Sequence, residues 1–109
     1  MEVIAVEEGI KRVVNNKKLF LRLLTNFKGR SMVMQIIETA KAGDFDAGEK
    51  ASHALKGVAA NLAMHQLAAA ASQAEESMKA GTAINGLEAE LLSCLEAVEA
   101  AIADILAEG

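Results

Sequence analysis

The chain has 109 residues, 52% of them apolar, with a formal net charge of −4 and an isoelectric point near 5.1, which suits a single domain, 1–109, with one core. The absence of proline, tryptophan and tyrosine, with only three phenylalanines and abundant Ala, Leu, Glu and Lys, describes helix formers rather than the β-branched and aromatic mix of strands and predicts an all-α fold. With acids and bases read as interspersed, no phosphate-neutralising basic stripe and so no nucleic-acid partner is expected, and the short apolar runs fall far below the roughly 20 residues that cross a bilayer.

Residues 5–14, "AVEEGIKRVV", predict a short amphipathic helix, broken at Asn15 and Asn16, which tolerate turn conformations. A second helix is predicted from Lys17 to about Ala42, because Phe20, Leu23, Leu24, Phe27, Met34 and Ile37 recur at helical steps. Gly29 is its weak point, where a bend or fraying is expected. "KAGD" then stops and restarts the chain, Gly43 suiting a left-handed C-terminal position and Asp44 an N-cap.

The third predicted helix runs from Asp44 to about Leu62, with a short break near Met64 and His65. The fourth covers roughly 65–80, closes on Lys79 and Gly81, and buries Leu67, Ala71, Ala74 and Met78. The last, about 83–107, carries Leu87, Leu91, Cys94, Leu95, Val98, Ile102 and Ile105 on one side. Short connections make sequential helices antiparallel neighbours, so an up-down-up-down antiparallel four-helix bundle is expected, with the short first helix across one end. Cys94 alone cannot form an intramolecular disulfide and reads as a small buried hydrophobe. With no signal-peptide pattern at the start, a cytoplasmic location is expected.

The third helix has two opposed stripes. At about 100° per residue, Asp46, Glu49, Lys50, Lys56, Gly57, Ala60 and Met64 fall within roughly 60° of His53. Ala51, Leu55, Val58 and Leu62 fall on the other side as its core stripe, so His53 is expected to be exposed. A neutral, exposed imidazole is a nucleophile suited to attacking a phosphoryl group. Lys56, at i+3, can offset the charge of a phosphate on the ring. Gly57, at i+4, removes the side chain that would crowd the ring from outside, a reason for a glycine that otherwise costs helix stability.

"HALKGVAANLAMHQL", residues 53–67, resembles the signature of histidine-containing phosphotransfer (HPt) domains, a His-x-Leu-Lys-Gly followed by a small-rich segment and a Leu. The likeness extends to "EEG" at 7–9, "GD" at 43–44 and an acidic residue at Glu75, nearly the whole chain. The resemblance implies that His53 is the phosphoryl acceptor, Lys56 its charge partner and Gly57 the small residue giving access. Around them Glu49, Lys50, Ala60 and Met64 are expected to form the docking face. Three positions depart from the family pattern: Val58 stands where Ser is common, and Ala63-Met64 replaces a frequent Gly-Ala, which predicts a less sharp turn.

The resemblance further implies a carrier, not an enzyme. It would exchange a phosphoryl group between His53 and the aspartate of a response-regulator receiver domain, or take one from a sensor histidine kinase. The chain shows no acidic cluster with metal-pocket spacing and no glycine-rich nucleotide loop, so no cofactor of its own is expected and Mg²⁺ is assigned to the partner. A metal site on His53, His65 and Glu49 is rejected, because the spacing is not that of zinc ligands. The stripes suffice for one core, so a monomer is expected. The alternative is a non-catalytic interaction or dimerisation module built on the near-heptad steps at 84, 87, 91, 94, 98, 102 and 105.

Overall fold

The computed structural model describes residues 3–82, 84 and 86–108, and every regular element among them is helical. The order is α1 (Val6–Arg12), α2 (Lys17–Thr25), α3 (Gly29–Lys41), α4 (Phe45–Asn61), α5 (His65–Lys79) and α6 (Leu87–Glu108). Two starts are set by side-chain caps. Asn16 Oδ1 accepts from the Leu19 N–H at 3.0 Å and Asp44 Oδ1 from the Ala47 N–H at 3.2 Å, each satisfying an otherwise orphaned donor. Gly43 precedes the second cap at φ 72°, the left-handed position expected of it.

The predicted helix over 17–42 is two helices. Asn26 ends α2 and Gly29 opens α3, a full break instead of a bend. Apolar spacing carries across the gap from Leu24 to Phe27, which hides the interruption from a periodicity reading. Gly29 is needed there for close approach, since a Cβ would run into the Phe27 ring and press on Leu95. Two members of the predicted apolar stripe are exposed, Leu23 before the break and Met34 after it, where the helical phase has shifted.

The last helix begins at Leu87, not 83. Residues 83 and 85 lie outside the described residues, and Ile84 is buried without being helical.

The core gathers Phe20, Leu24, Ile36, Leu55, Met64, Leu67, Leu91 and Leu95, all essentially inaccessible, each burial contributing about 1.5–3 kcal/mol. The helices around it pack α3 on α4, α4 on α5, α5 on α6, and α3 and α2 on α6. Alanines set the α4–α5 spacing: Ala59 on α4 and Ala70, Ala71 and Ala74 on α5 are buried. Gly48 brings the two closer still, because a Cβ there would overlap the Met78 sulfur. Ion pairs tie α3 to α6 at both ends, Arg30 to Glu99 at 2.7 Å and Lys41 to Glu88 at 3.7 Å.

The turn from α4 to α5 is sharp, contrary to the expectation from its missing glycine. Leu62, Ala63 and Met64 complete it, with Ala63 itself at φ 58°. All three are buried, so packing holds a backbone conformation that alanine disfavours. The start of the chain is fastened here. The Ala5 N–H donates to the Ala63 carbonyl at 3.0 Å, and His65 Nε2 lies 2.7 Å from Glu8 Oε2.

Candidate functional site

On α4 the inward residues Ser52, Leu55 and Ala59 are fully buried, and the Ser52 hydroxyl is satisfied by donating to the Gly48 carbonyl at 2.8 Å. The outward side carries His53, whose side chain is 70% exposed, as its helical position predicts. Val58, read as core, is instead exposed at 37%, because the chain around the α2–α3 break leaves a groove beside it.

Close packing of α5 brings Glu75 to the histidine. Its Oε2 lies 2.8 Å from His53 Nδ1, and its Oε1 accepts from Lys56 Nζ at 2.9 Å. One carboxylate thus joins the imidazole and the ammonium three residues apart on α4. The Lys56 hydrogen bond holds the Glu75 carboxyl below the usual carboxylate range against the opposing effect of its partial burial, and the His53 bond adds to the lowering. An ionised carboxylate only accepts, so the shared proton resides on Nδ1. His53 Nε2 has no hydrogen-bond partner among the described residues.

A shallow recess of about 440 Å³ opens here, lined by Asp46, Glu49, Lys50, His53 and Glu75. Lys50 is drawn to Asp46 at 3.3 Å on the same rim. Beyond the ring, a Cβ on Gly57 would meet nothing within 4 Å. Gly9, Gly29 and Gly48 each have a packing reason inside the molecule, and Gly57 has none. Ala60 is half-buried further along.

Met64 is not on this surface. It is fully buried, because α4 stops at Asn61 and the extrapolated helical face does not extend to residue 64. His65 is far from the recess and engaged by Glu8 of α1. Among the described residues, no group of three or more His, Cys, Asp or Glu side chains could hold a metal ion, and no helix is long and apolar enough to cross a membrane.

The family model for the Hpt domain matches residues 22–107. The chain belongs to the Hpt domain family. No curated protein and no solved structure matches it. Hpt domains are helical phosphocarriers of two-component phosphorelays, and the match runs from within α2 to the last turn of α6. Within this Hpt domain, the bridging role of Glu75 is what local sequence reasoning missed. Its detectable signal is position: it directly follows buried Ala74 and stands one turn after buried Ala71, so an acid sits on the edge of the apolar stripe.

Proposed function

We propose that the protein is a phosphorelay intermediate in which His53 Nε2 accepts a phosphoryl group from a receiver-domain aspartate, or from a histidine kinase, and returns it to a response-regulator receiver. The carrying observation is the exposed imidazole held through Nδ1 by Glu75, with Nε2 open beside bare Gly57. In the step, the Nε2 lone pair forms the N–P bond as the P–O bond to the donor aspartate breaks, and the aspartate leaves as a carboxylate. The ring keeps its Nδ1 proton and becomes cationic. Glu75, 2.8 Å away, is positioned to offset that charge as it develops.

Lys56 supplies positive charge one turn from the ring, partly exposed and held on Glu75 at 2.9 Å. From there it can turn to the phosphoryl oxygens once they arrive. Glu49 and Lys50 on the recess rim, with Gly57 and Ala60, make up the docking face. The metal needed to neutralise the transferring group, Mg²⁺ with its carboxylate ligands, belongs to the receiver. The chain is thus a carrier and not a catalyst, and we place it in the cytoplasm.

The residue pairings support an antiparallel four-helix bundle of α3 to α6, and we read the chain as a single monomeric domain. Gly48 meets Met78 while Lys56 meets Glu75, and Arg30 meets Glu99 while Lys41 meets Glu88. Leu91, Leu95 and Val98, the centre of the near-heptad stripe, are buried in the chain's own core, which argues against their use in a coiled coil.

The test is incubation with a panel of phosphorylated receiver domains, following the label. Acid-labile, base-stable label on the wild type, absent from His53→Gln, is the expected result. No transfer from any receiver or kinase would remove the reading.

A further inference from the structure

The charges of this chain are segregated, not interspersed. Between Glu8 and Glu38 lie seven bases and no acid, whereas twelve of the fifteen acids and only four of the eleven bases lie from Glu38 onward. Within the basic stretch Arg12 and Arg30 are paired, with Glu8 and Glu99, but the bases between them are not, among the described residues. Lys41, Lys50 and Lys56 each meet a carboxylate, while Lys17, Lys18, Arg22 and Lys28, all exposed, meet none among the described residues. α2 is therefore an uncompensated basic helix on an otherwise acidic molecule.

That helix borders an apolar groove of about 400 Å³, lined by Leu23, Phe27 and Lys28 on one side and Val58, Asn61 and Leu62 on the other. Leu23 and Val58 are each more than a third exposed. Asn26 also lines it, and Arg22 and Lys18 precede Asn26 at successive four-residue steps, a row of bases leading to its edge.

The groove adjoins the histidine. Going round α4 at about 100° per residue from His53, Lys56 lies about 60° to one side, toward Glu75, and Gly57 about 40° to the other. Beyond Gly57 come Asn61 at about 80° and Val58 at about 140°, the groove wall. The bare backbone at Gly57 thus connects the imidazole to the groove without an intervening side chain.

We propose that this groove, the unpaired bases of α2 and Lys28 just before α3 are the part of the docking surface that selects among receivers. It would fit a receiver whose contact face carries an apolar side chain edged by carboxylates. The inference rests on the phosphotransfer reading above. A receiver's transfer site holds its metal on carboxylates, so a partner centred on His53 brings negative charge toward α2. A nucleic acid is a poorer fit: the twelve acids of the remaining chain repel a continuous polyanion, whereas a protein can confine its carboxylates to one patch.

The experiment measures transfer to the full chain from each phosphorylated receiver of the panel, at low and high salt. The variants are Lys18→Glu/Arg22→Glu/Lys28→Glu and Leu23→Ser/Val58→Ser. Thermal melts confirm that all remain folded. The triple variant is expected to lower kcat/KM about tenfold at low salt, chiefly through KM, with the deficit shrinking as salt screens the pair. The loss should be greatest for the receivers with the most acidic contact faces. Leu23→Ser/Val58→Ser should raise KM at every salt concentration.

Wild-type rates and salt response in both multiple variants overturn the selecting surface alone. So does an equal loss across the panel. Binding of the wild type to phosphatidylserine vesicles that the triple variant loses, with transfer unchanged, overturns it in favour of a lipid surface. Failure of the wild type with every receiver overturns the phosphotransfer reading and this inference with it.

Discussion

Glu75 and His53 stand 22 residues apart in sequence and 2.8 Å apart in space, and the bond between them occupies Nδ1 while leaving Nε2 open. The acceptor's orientation therefore depends on a residue of another helix. Replacing Glu75 by Gln keeps the shape but removes the charge that offsets the cationic ring and that pairs with Lys56. We expect transfer to slow by roughly tenfold, about 1.4 kcal/mol in the barrier, while the fold remains intact by circular dichroism. Wild-type transfer in Glu75→Gln would remove Glu75 from the mechanism.

Histidine identity is tested separately. His53→Gln should abolish labelling, and His65→Gln should leave it unchanged, because His65 is engaged at the α1 end of the molecule. Lys56→Ala should slow transfer several-fold without abolishing it, since a partly exposed charge pair is worth roughly 0–1 kcal/mol. Rapid-quench measurement of the acid-labile label distinguishes the three.

The two glycines Gly57 and Gly9 should respond in opposite directions. A Cβ on Gly57 meets nothing, so Gly57→Ala should raise stability by up to about 1 kcal/mol. Gly57→Gln should do much the same while blocking receiver-dependent transfer, because its side chain projects into the path to the ring. A Cβ on Gly9 collides with the fully buried ring of Phe20, so Gly9→Ala should destabilise by about 1–3 kcal/mol. Denaturant melts read both, and a Gly57→Gln that accepts label from a receiver at the normal rate would refute the access argument.

Acid should weaken the Glu75 network in a defined direction. Its carboxyl is held lower in the folded chain than in the unfolded one, chiefly by Lys56. The resulting stabilisation is fully present above the unfolded carboxyl's ordinary value of about 4.3 and is lost as pH falls through the lower folded value. The stability difference between wild type and Glu75→Gln should therefore be constant near neutrality and shrink below about pH 4. A difference that grows on acidification would reverse the assignment.

Much of this architecture is local and was legible in the sequence. The Asp44 cap, left-handed Gly43, the opposed stripes of α4 and the alanine stripe of α5 each follow from a few neighbouring residues. What escaped is what local patterns do not encode. The α2–α3 break is hidden by apolar spacing that continues through it. Met64 falls on the docking face only if the helix is extended past its end at Asn61. Glu75 reaches His53 only because Gly48 and three alanines let two helices approach, a consequence of packing, not of any motif.

Leu91→Glu or Val98→Glu should unfold the chain, since both residues fill its own core. Sedimentation and circular dichroism together would separate this from the alternative, in which helicity persists while a dimer dissociates.

Ala63 closes the α4–α5 turn in a left-handed conformation that alanine does not favour on its own. Local hydrogen bonds close the turn, from the Ala63 N–H to the Ala60 carbonyl at 3.1 Å and from the Met64 N–H to the Ala59 carbonyl at 2.8 Å, but the burial of Leu62, Ala63 and Met64 in the core is what offsets the disfavoured backbone at Ala63. The assembled His53–Glu75–Lys56 triplet is consequently cooperative with the whole core, and a fragment spanning α4 and α5 alone would not preserve it. Readiness to take up phosphate then tracks global folding, so that heat or denaturant extinguishes it in one transition with the loss of the hydrophobic interior, not by gradual fraying at the surface.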